Sequence, residues 1–259
     1  MKEISIVSWN INGLRAVLKK GLNDFLEQRK PDVVCLQEIK CFENQLDEKE
    51  KSELEQAYQL YWHPAERPGY SGVMSLDRGL VKGTQFGFGL KKFDSEGRVL
   101  IHDFGDFELL NCYFPNGGAS EERHFFKMDF LKEFLQFLKK RQKEKPLIVT
   151  GDINIAHKEI DIHDPVRLDG ESGFKPEERA WMDELHAAGF QDVFRHFFPD
   201  QQDEYSWWSY RAGARQRNKG WRIDYFIASN QILDRVSSIQ HLPKILGSDH
   251  CPLELKIQV

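Results

Sequence analysis

Three short apolar runs in this chain abut acids, amides or an imidazole where turn residues would be usual. They are Asp-Val-Val-Cys-Leu-Gln-Glu at 32–38, Pro-Leu-Ile-Val-Thr-Gly-Asp-Ile-Asn at 146–154 and Gly-Ser-Asp-His-Cys-Pro-Leu at 247–253. A carboxylate at the end of a buried strand must be paired or neutralised. Several such ends point to one polar pocket built where strands converge. Hard oxygen donors with a histidine nearby are the layout of metal-assisted hydrolysis.

At 259 residues, 40% of them hydrophobic, the chain can fill a large α/β core. No Pro/Gly/Ser-rich linker divides it, so one domain over 1–259 is expected. No apolar run approaches the ~20 residues of a membrane span. The N-terminus enters a strand at once, without the apolar stretch of a signal peptide. The four cysteines (Cys35, Cys41, Cys112, Cys251) form no CxxC pair, so neither a zinc site nor a disulfide framework is expected, and a reducing compartment is. The net charge of −5 argues against a generic nucleic-acid coat protein. It leaves room for an enzyme that neutralises its substrate locally, with a metal ion and one basic face.

Periodicity predicts strands at 4–9, 33–37, 147–150, 223–228 and 252–257, and several short antiparallel runs between 72 and 112. Helices are expected at 21–29, closed by Pro31, and at 47–58. A third opens at Ser120 with Phe126, Phe130, Phe134 and Leu138 on one stripe, and a fourth runs from Pro176 to Gly189. The order strand, Asn-Ile-Asn-Gly, helix, strand, Gln-Glu is echoed later. There it reads strand, Tyr-Phe-Pro-Asn-Gly-Gly, helix, strand, Gly-Asp-Ile-Asn. Two βαβ-like halves of this kind would pack as two sheets with a site between their ends.

Asn10 and Asn12 alternate with an apolar residue and share one side of a strand exit; an Asn-Gly turn is the competing account. Glu38 at a strand end can anchor Mg²⁺, or form a surface ion pair. Asp152 and Asn154, one residue apart, suit water activation and support of a developing oxyanion, with Gly151 allowing close backbone approach. Tyr113, Asn116 and Gly117 offer donors to phosphate oxygens, against a bare Pro-Asn-Gly turn. Asp249-His250 is the most specific dyad, and Asp224, inside an apolar run, is the candidate orienter of the imidazole. The stretch 205–222 interleaves aromatics with Arg211, Arg215, Arg217, Lys219 and Arg222. That composition fits backbone phosphate and a nucleotide taken from the stack; a tryptophan core beside a solvated basic loop is the alternative.

Together these motifs resemble the exonuclease III family of AP endonucleases, within the wider endonuclease/exonuclease/phosphatase superfamily. The resemblance rests on Trp-Asn-Ile-Asn-Gly-Leu-Arg (9–15), Leu-Gln-Glu-Ile-Lys (36–40), Gly-Tyr-Ser-Gly-Val (69–73), Phe-Asp-Ser-Glu-Gly-Arg (93–98) and Tyr-Phe-Pro-Asn-Gly (113–117). It continues with Gly-Asp-Ile-Asn (151–154), Ser-Gly-Phe-Lys-Pro-Glu-Glu-Arg-Ala-Trp (172–181), Gly-Trp-Arg-Ile-Asp-Tyr (220–225) and Ser-Asp-His-Cys-Pro-Leu (248–253).

The resemblance implies a four-layer α/β sandwich, two packed mixed β-sheets flanked by helices. It implies Mg²⁺- or Mn²⁺-dependent hydrolysis of double-stranded DNA on the 5′ side of abasic sites, with 3′→5′ exonuclease and 3′-phosphatase or 3′-repair activity at blocked 3′ ends. Carried over by position, Asp152 positions and deprotonates water, and His250, oriented by Asp224, contacts the phosphate with Asn154 and Tyr113. Glu38 is the principal metal ligand, with Asn10, Asp152, Asn154, Asp249 and His250 around the ion. Asn116 and Arg211 bind DNA, and Trp207, Trp221 and Ile223 wall the lesion pocket.

A monomeric bacterial or archaeal enzyme is expected, cytoplasmic and associated with the nucleoid, since the chain lacks the family's eukaryotic N-terminal extension. Three stretches depart from the family's pattern. Asn12 stands where part of the family has Asp, which favours a single-ion site. Residues 74–85 and 163–171 are idiosyncratic, and the second loop is expected to bias the balance of activities.

Overall fold

The central strands carry apolar residues at successive positions, and such runs need cover on both faces. In the computed structural model, which describes residues 2–259, they lie in two six-stranded sheets. The first sheet holds β1 (Glu3–Asn10), β2 (Val33–Gln37), β3 (Gln59–His63), β4 (Val73–Asp77), β11 (Val236–His241) and β12 (Leu253–Gln258). The second holds β5 (Gly83–Phe86), β6 (Val99–Asp103), β7 (Glu108–Tyr113), β8 (Leu147–Asp152), β9 (Phe190–Asp192) and β10 (Asp224–Ser229). Their orders are β11-β12-β1-β2-β4-β3 and β5-β6-β7-β8-β10-β9. The pairs β1/β2 and β7/β8 are parallel, and the other described pairs are antiparallel. Each sheet thus has a parallel centre with antiparallel flanks, and the two halves expected from the sequence are present.

Helices α1 (Leu14–Leu18), α2 (Leu22–Arg29) and α3 (Glu48–Glu55) cover the outer face of the first sheet, packing Leu22, Phe25 and Leu54 with Val7, Trp9 and Leu36. Short α4 (Lys91–Asp94), long α5 (Glu121–Arg141) and α6 (Pro176–Ala187) cover the second. There Phe93, Phe130, Phe134 and Trp181 meet Leu110, Val149 and Ile227. A last short helix, α7 (Val193–Phe197), packs Val193 and Phe194 among residues of the inter-sheet core. The result is the four-layer sandwich expected. The cap of α5 is as read: the Ser120 hydroxyl accepts from the Arg123 amide at 3.3 Å, and two acids and three bases complement the dipole at its ends.

Strand parity places the site. Alternate residues point to opposite faces, and the positions facing the other sheet are Ile4, Ile6, Val33, Leu109, Ile148, Phe226 and Ala228 at one end. Two residues further along, the same parity brings Ser8, Asn111 and Thr150, all buried. Two further still, it brings Asn10, Gln37, Tyr113, Asp152 and Asp224. The seam between the sheets therefore grades from dry to polar. Gln37 Nε2 bonds Ser8 Oγ at 3.2 Å and Asn111 Oδ1 at 2.8 Å, and Asn111 Nδ2 reaches Ser75 Oγ at 3.0 Å. These bonds join the sheets just below the site and satisfy groups that would be costly to bury alone.

Two readings need adjustment. The runs between 72 and 112 are not one antiparallel stretch: β4 belongs to the first sheet and β5–β7 to the second. Alternation predicts a strand but not its partner. Strands β3, β9 and β11 and helices α1, α4 and α7 were not foreseen, being short or lacking a full apolar period.

Candidate active site at the polar end of the seam

Both sheets contribute to one cleft of about 290 Å³, lined by Glu38, Asn116, Asp152, Asn154, Ser172, Gly173, Trp207, Trp221, Ile223, Asp249 and His250. The chain turns sharply there. Asn12, Glu38, Lys40 and Asn154 all have positive φ, between 46° and 56°, a strained set for residues with side chains and one that clusters at functional sites. Gly151 has no alternative, because a Cβ on it would stand 1.9 Å from the Cys112 carbonyl oxygen across the parallel β7/β8 pair.

Asp152 is the hub. Its Oδ2 accepts from Asn10 Nδ2 at 2.8 Å and Asn154 Nδ2 at 3.2 Å, while Oδ1 accepts from the Asn154 amide at 2.8 Å. His250 Nε2 lies 3.9 Å from Oδ2. Behind it, His250 Nδ1 is 2.8 Å from Asp224 Oδ2, and since a carboxylate only accepts, Nδ1 carries the proton. Asp224 is held in turn by strand pairing, directly opposite Asp152. Its amide and that of Ile223 both donate to Ser206 Oγ.

These contacts tune the titrating groups. Burial, with the like charge of Asp224 beside it, pushes the Asp152 carboxyl up to about 7. Burial opposes charge on His250, but the attraction and hydrogen bond of Asp224 outweigh it and raise the imidazole to about 10. Burial likewise opposes ionisation of Glu38, yet Lys40 and the Asn10 amide hold it below the usual carboxylate range. Burial and the Glu38 carboxylate keep the Tyr113 phenol protonated. An acid poised near neutrality beside a cationic imidazole is the equipment of general-base hydrolysis with charge stabilisation.

Glu38, Asp152 and His250 each bring a ligand atom within 4.8 Å of the others. Two carboxylates and an amide carbonyl nearby are the hard donors that Mg²⁺ or Mn²⁺ takes. Asn10 lies between them, donating to Glu38 Oε1 at 2.9 Å, with its own Oδ1 accepting from the Asn12 amide at 3.0 Å. Asn154 Oδ1 accepts from Asn116 Nδ2 at 3.0 Å. Asp249 has both oxygens engaged, Oδ1 with Asn12 Nδ2 at 2.9 Å and Oδ2 with Trp207 Nε1 at 3.1 Å. Lys40 bridges Glu38 Oε2 at 2.6 Å and Asn12 Oδ1 at 2.5 Å.

Trp207 and Trp221 meet edge to face with ring centres 6.2 Å apart, and Trp207 bridges to both Trp221 and His250 through its backbone. Ile223 completes that wall with Phe174 behind it. Arg211 lies on an exposed turn outside the lining. The basic run itself divides. Arg222 is fully buried, pairing with Asp161 at 2.9 Å and Asp192 at 2.6 Å. Arg215 ties down the 243–248 loop through the carbonyls of Ser248 and Ile245 at 2.8 and 2.7 Å. Neither is free for phosphate, a correction to the reading of the run as one basic surface. Composition alone did not reveal carboxylates placed 30 and 61 residues away.

A further pair was missed. Lys127 and Glu178 are both fully buried and bonded at 2.5 Å beneath the cleft. The signal was available: Lys127 falls on the buried face of α5 with Leu131, Phe134 and Leu138.

Two facing β-sheets with acids, amides and a histidine at one end are the arrangement of a phosphoester hydrolase with donors suited to a divalent ion. The sequence pattern of the Endonuclease/Exonuclease/phosphatase family matches residues 7–250, and the chain belongs to that family. It is 38% identical to an exodeoxyribonuclease of Bacillus subtilis over 99% of this chain and all of that protein. It is 35% identical to a DNA-(apurinic or apyrimidinic site) endonuclease of Dictyostelium discoideum, over 99% of this chain and 71% of that one. Among solved structures, the AP endonuclease LMAP of Leishmania major superposes with a TM-score of 0.88 at 29% identity, covering 100% of this chain and 88% of that one.

Proposed function

We propose that this chain is a DNA repair phosphodiesterase that cuts the backbone on the 5′ side of an abasic site. It also removes nucleotides and blocking phosphates from 3′ ends. The observation that carries the substrate is the Trp207–Trp221 wall opening onto the same cleft as Asp152 and His250. A simple phosphatase has no use for two indoles beside its phosphate site, whereas a deoxyribose without its base needs an apolar wall. The relatives named for exodeoxyribonuclease and apurinic-site endonuclease activity support the same reading.

In this reading Asp152 takes a proton from water. The water oxygen bonds to phosphorus as the bond to the 3′ oxygen breaks, and that oxygen is reprotonated from solvent. His250, kept cationic by Asp224, donates through Nε2 to a non-bridging phosphate oxygen, with Asn154 and Tyr113 as further donors. Glu38 and Asp152, with Asn10 beside them, would hold Mg²⁺ or Mn²⁺, which would supply positive charge to the phosphate. The proton on His250 Nε2 would keep the imidazole from ligating such an ion, and Asp249 would add its negative charge nearby. One ion suits Asn12, whose neutral side chain bonds Asp249 Oδ1 and adds no further carboxylate to hold a second. Asn116 and Arg211 contact backbone phosphate. Because both sheets supply the site, residues 1–259 act as one catalytic domain. The protein works as a monomer on nucleoid DNA in the cytoplasm.

The test of the substrate is a Trp207→Ala, Trp221→Ala double variant assayed on an abasic duplex and on a small phosphodiester. Loss of the first activity with the second retained supports the reading. Equal retention of both removes the indole wall from the account.

A further inference from the structure

Lys127 sits on α5, outside the cleft, and Glu178 is the third residue of α6. Both side chains are completely buried. Burying an ion pair confers little stability, since desolvation cancels most of the attraction, and well-packed apolar residues often serve as well. A fully buried pair therefore asks for another reason. Its remaining contacts supply one. Lys127 Nζ donates to the Asn154 carbonyl at 2.8 Å. Glu178 Oε2 accepts from the Gly173 amide at 2.7 Å and the Lys175 amide at 3.0 Å. The loop after β8 and the loop before α6 are thereby tied to one another through two charges. A direct bond from the Ala156 amide to the Gly173 carbonyl at 2.8 Å runs beside them.

Those loops form the floor of the cleft. Gly173 faces Trp221, and a Cβ on it would stand 3.0 Å from the Asn154 carbonyl oxygen and 3.3 Å from the Trp221 ring. There is no slack between the loops, so their separation sets how the indole wall meets a sugar. The catalytic amide is held separately: Asn154 Nδ2 bonds the Phe114 carbonyl at 3.0 Å as well as Asp152, and Asn154 Oδ1 bonds Asn116. Loosening the pair would shift the pocket floor more than the groups around the phosphate.

We infer that the buried Lys127–Glu178 pair is a positioning unit for lesion specificity, holding the Asn154 and Gly173 loops at the separation an abasic deoxyribose requires. The inference rests on the proposed reading of the cleft. The charges act on the substrate through the loops and touch neither it nor the reacting atoms.

The test is a Lys127→Met, Glu178→Gln double variant, which removes both charges and keeps an acceptor for the Gly173 amide. It is assayed with Mg²⁺ on an abasic duplex and on bis(p-nitrophenyl) phosphate, with circular dichroism to verify folding. The expected result is a drop in kcat/KM of roughly 10–100-fold on the abasic duplex and under about 3-fold on the small diester. If the double variant does not fold, Lys127→Gln, Glu178→Gln, which strands no charge and keeps polar groups for both loops, carries the test, with a smaller loss again confined to the abasic duplex. Equal losses on both substrates, or none on either, overturn the inference while leaving the proposed function standing. A wild-type protein that cleaves the small diester but not the abasic duplex overturns both.

Discussion

His250 Nδ1 and Asp224 Oδ2 stand 2.8 Å apart, both side chains nearly inaccessible to solvent, and this contact decides which group at the site carries a proton. Asp224 keeps the imidazole cationic to about pH 10. Burial, and after it the same carboxylate directly across the β8/β10 pair, push the Asp152 carboxyl up to about 7. One residue thus acts on both groups to which the proposed mechanism gives the roles of donor and base.

The first consequence is a pH dependence of stability in metal-free protein. A raised imidazole contributes stability that is fully present below about 6.5 and is lost as pH climbs to about 10. A raised carboxyl likewise costs stability as pH rises from about 3.8 to about 7. Below about 6.5 the buried histidines His102, His157, His186 and His241, held neutral by desolvation, work in the opposite direction, so the fall in Tm should be read above that pH. In Asp224→Asn the fall between 6.5 and 10 should flatten, because His250 loses its partner and titrates earlier. Parallel Tm curves for the two proteins would contradict the assignment.

Activity should follow a bell. The acidic limb reports Asp152 losing its proton near 7 and the alkaline limb His250 losing its own near 10. A bound cation favours the charged carboxylate, so the acidic limb should move to lower pH as Mg²⁺ is raised. Single-turnover rates across pH at several Mg²⁺ concentrations check this. An acidic limb indifferent to Mg²⁺ would separate Asp152 from the ion.

Arg211 and Arg222 should behave oppositely. Arg211→Ala is expected to weaken DNA binding and reduce the slope of log K against log salt by roughly one phosphate's worth, with Tm unchanged. Arg222→Ala strands Asp161 and Asp192 in the interior and should cost about 3–5 kcal/mol of stability, with an unchanged salt slope in whatever fraction folds. Denaturation midpoints and binding isotherms at two salt concentrations distinguish them.

Phe134 packs against Phe88, Phe114, Phe130 and Phe137 between α5 and the second sheet. Phe134→Ala should cost about 3–5 kcal/mol, read from urea unfolding, and leave kcat per folded molecule nearly unchanged. A large kcat loss with little destabilisation would mean that α5 shapes the site more directly than its packing implies.

The sequence made Asp152, Asn154, Asp224 and His250 visible because an acid or imidazole within an apolar strand is chemically conspicuous. It also carried the paired halves of the fold, since each repeats the order strand, polar exit, helix, strand. It hid whatever depends on distant partners. Arg222 reads as a surface base until Asp161 and Asp192 close on it, and Lys127, although helix periodicity puts it on the buried face of α5, gives no sign that Glu178 arrives from another helix. Strand β4 could not be assigned to its sheet, because alternation records which face is buried and not which neighbour buries it. The ordering of Lys40, Asn12, Asp249 and Trp207 into one hydrogen-bonded row is set by positive φ at Asn12 and Lys40, and only Asn12, before Gly13, carries a turn signal in the sequence.

Incision beside a base-less sugar should require both Asp152 and a divalent ion. The most direct measurement uses a labelled duplex bearing one stable abasic analogue, incubated with wild type and Mg²⁺, with wild type and EDTA, and with Asp152→Ala and Mg²⁺. Incision 5′ to the lesion is expected in the first reaction alone, with the variant slowed by roughly 10²–10⁴-fold or more while still binding the duplex. Undiminished incision by Asp152→Ala, or by wild type in EDTA, would contradict the account.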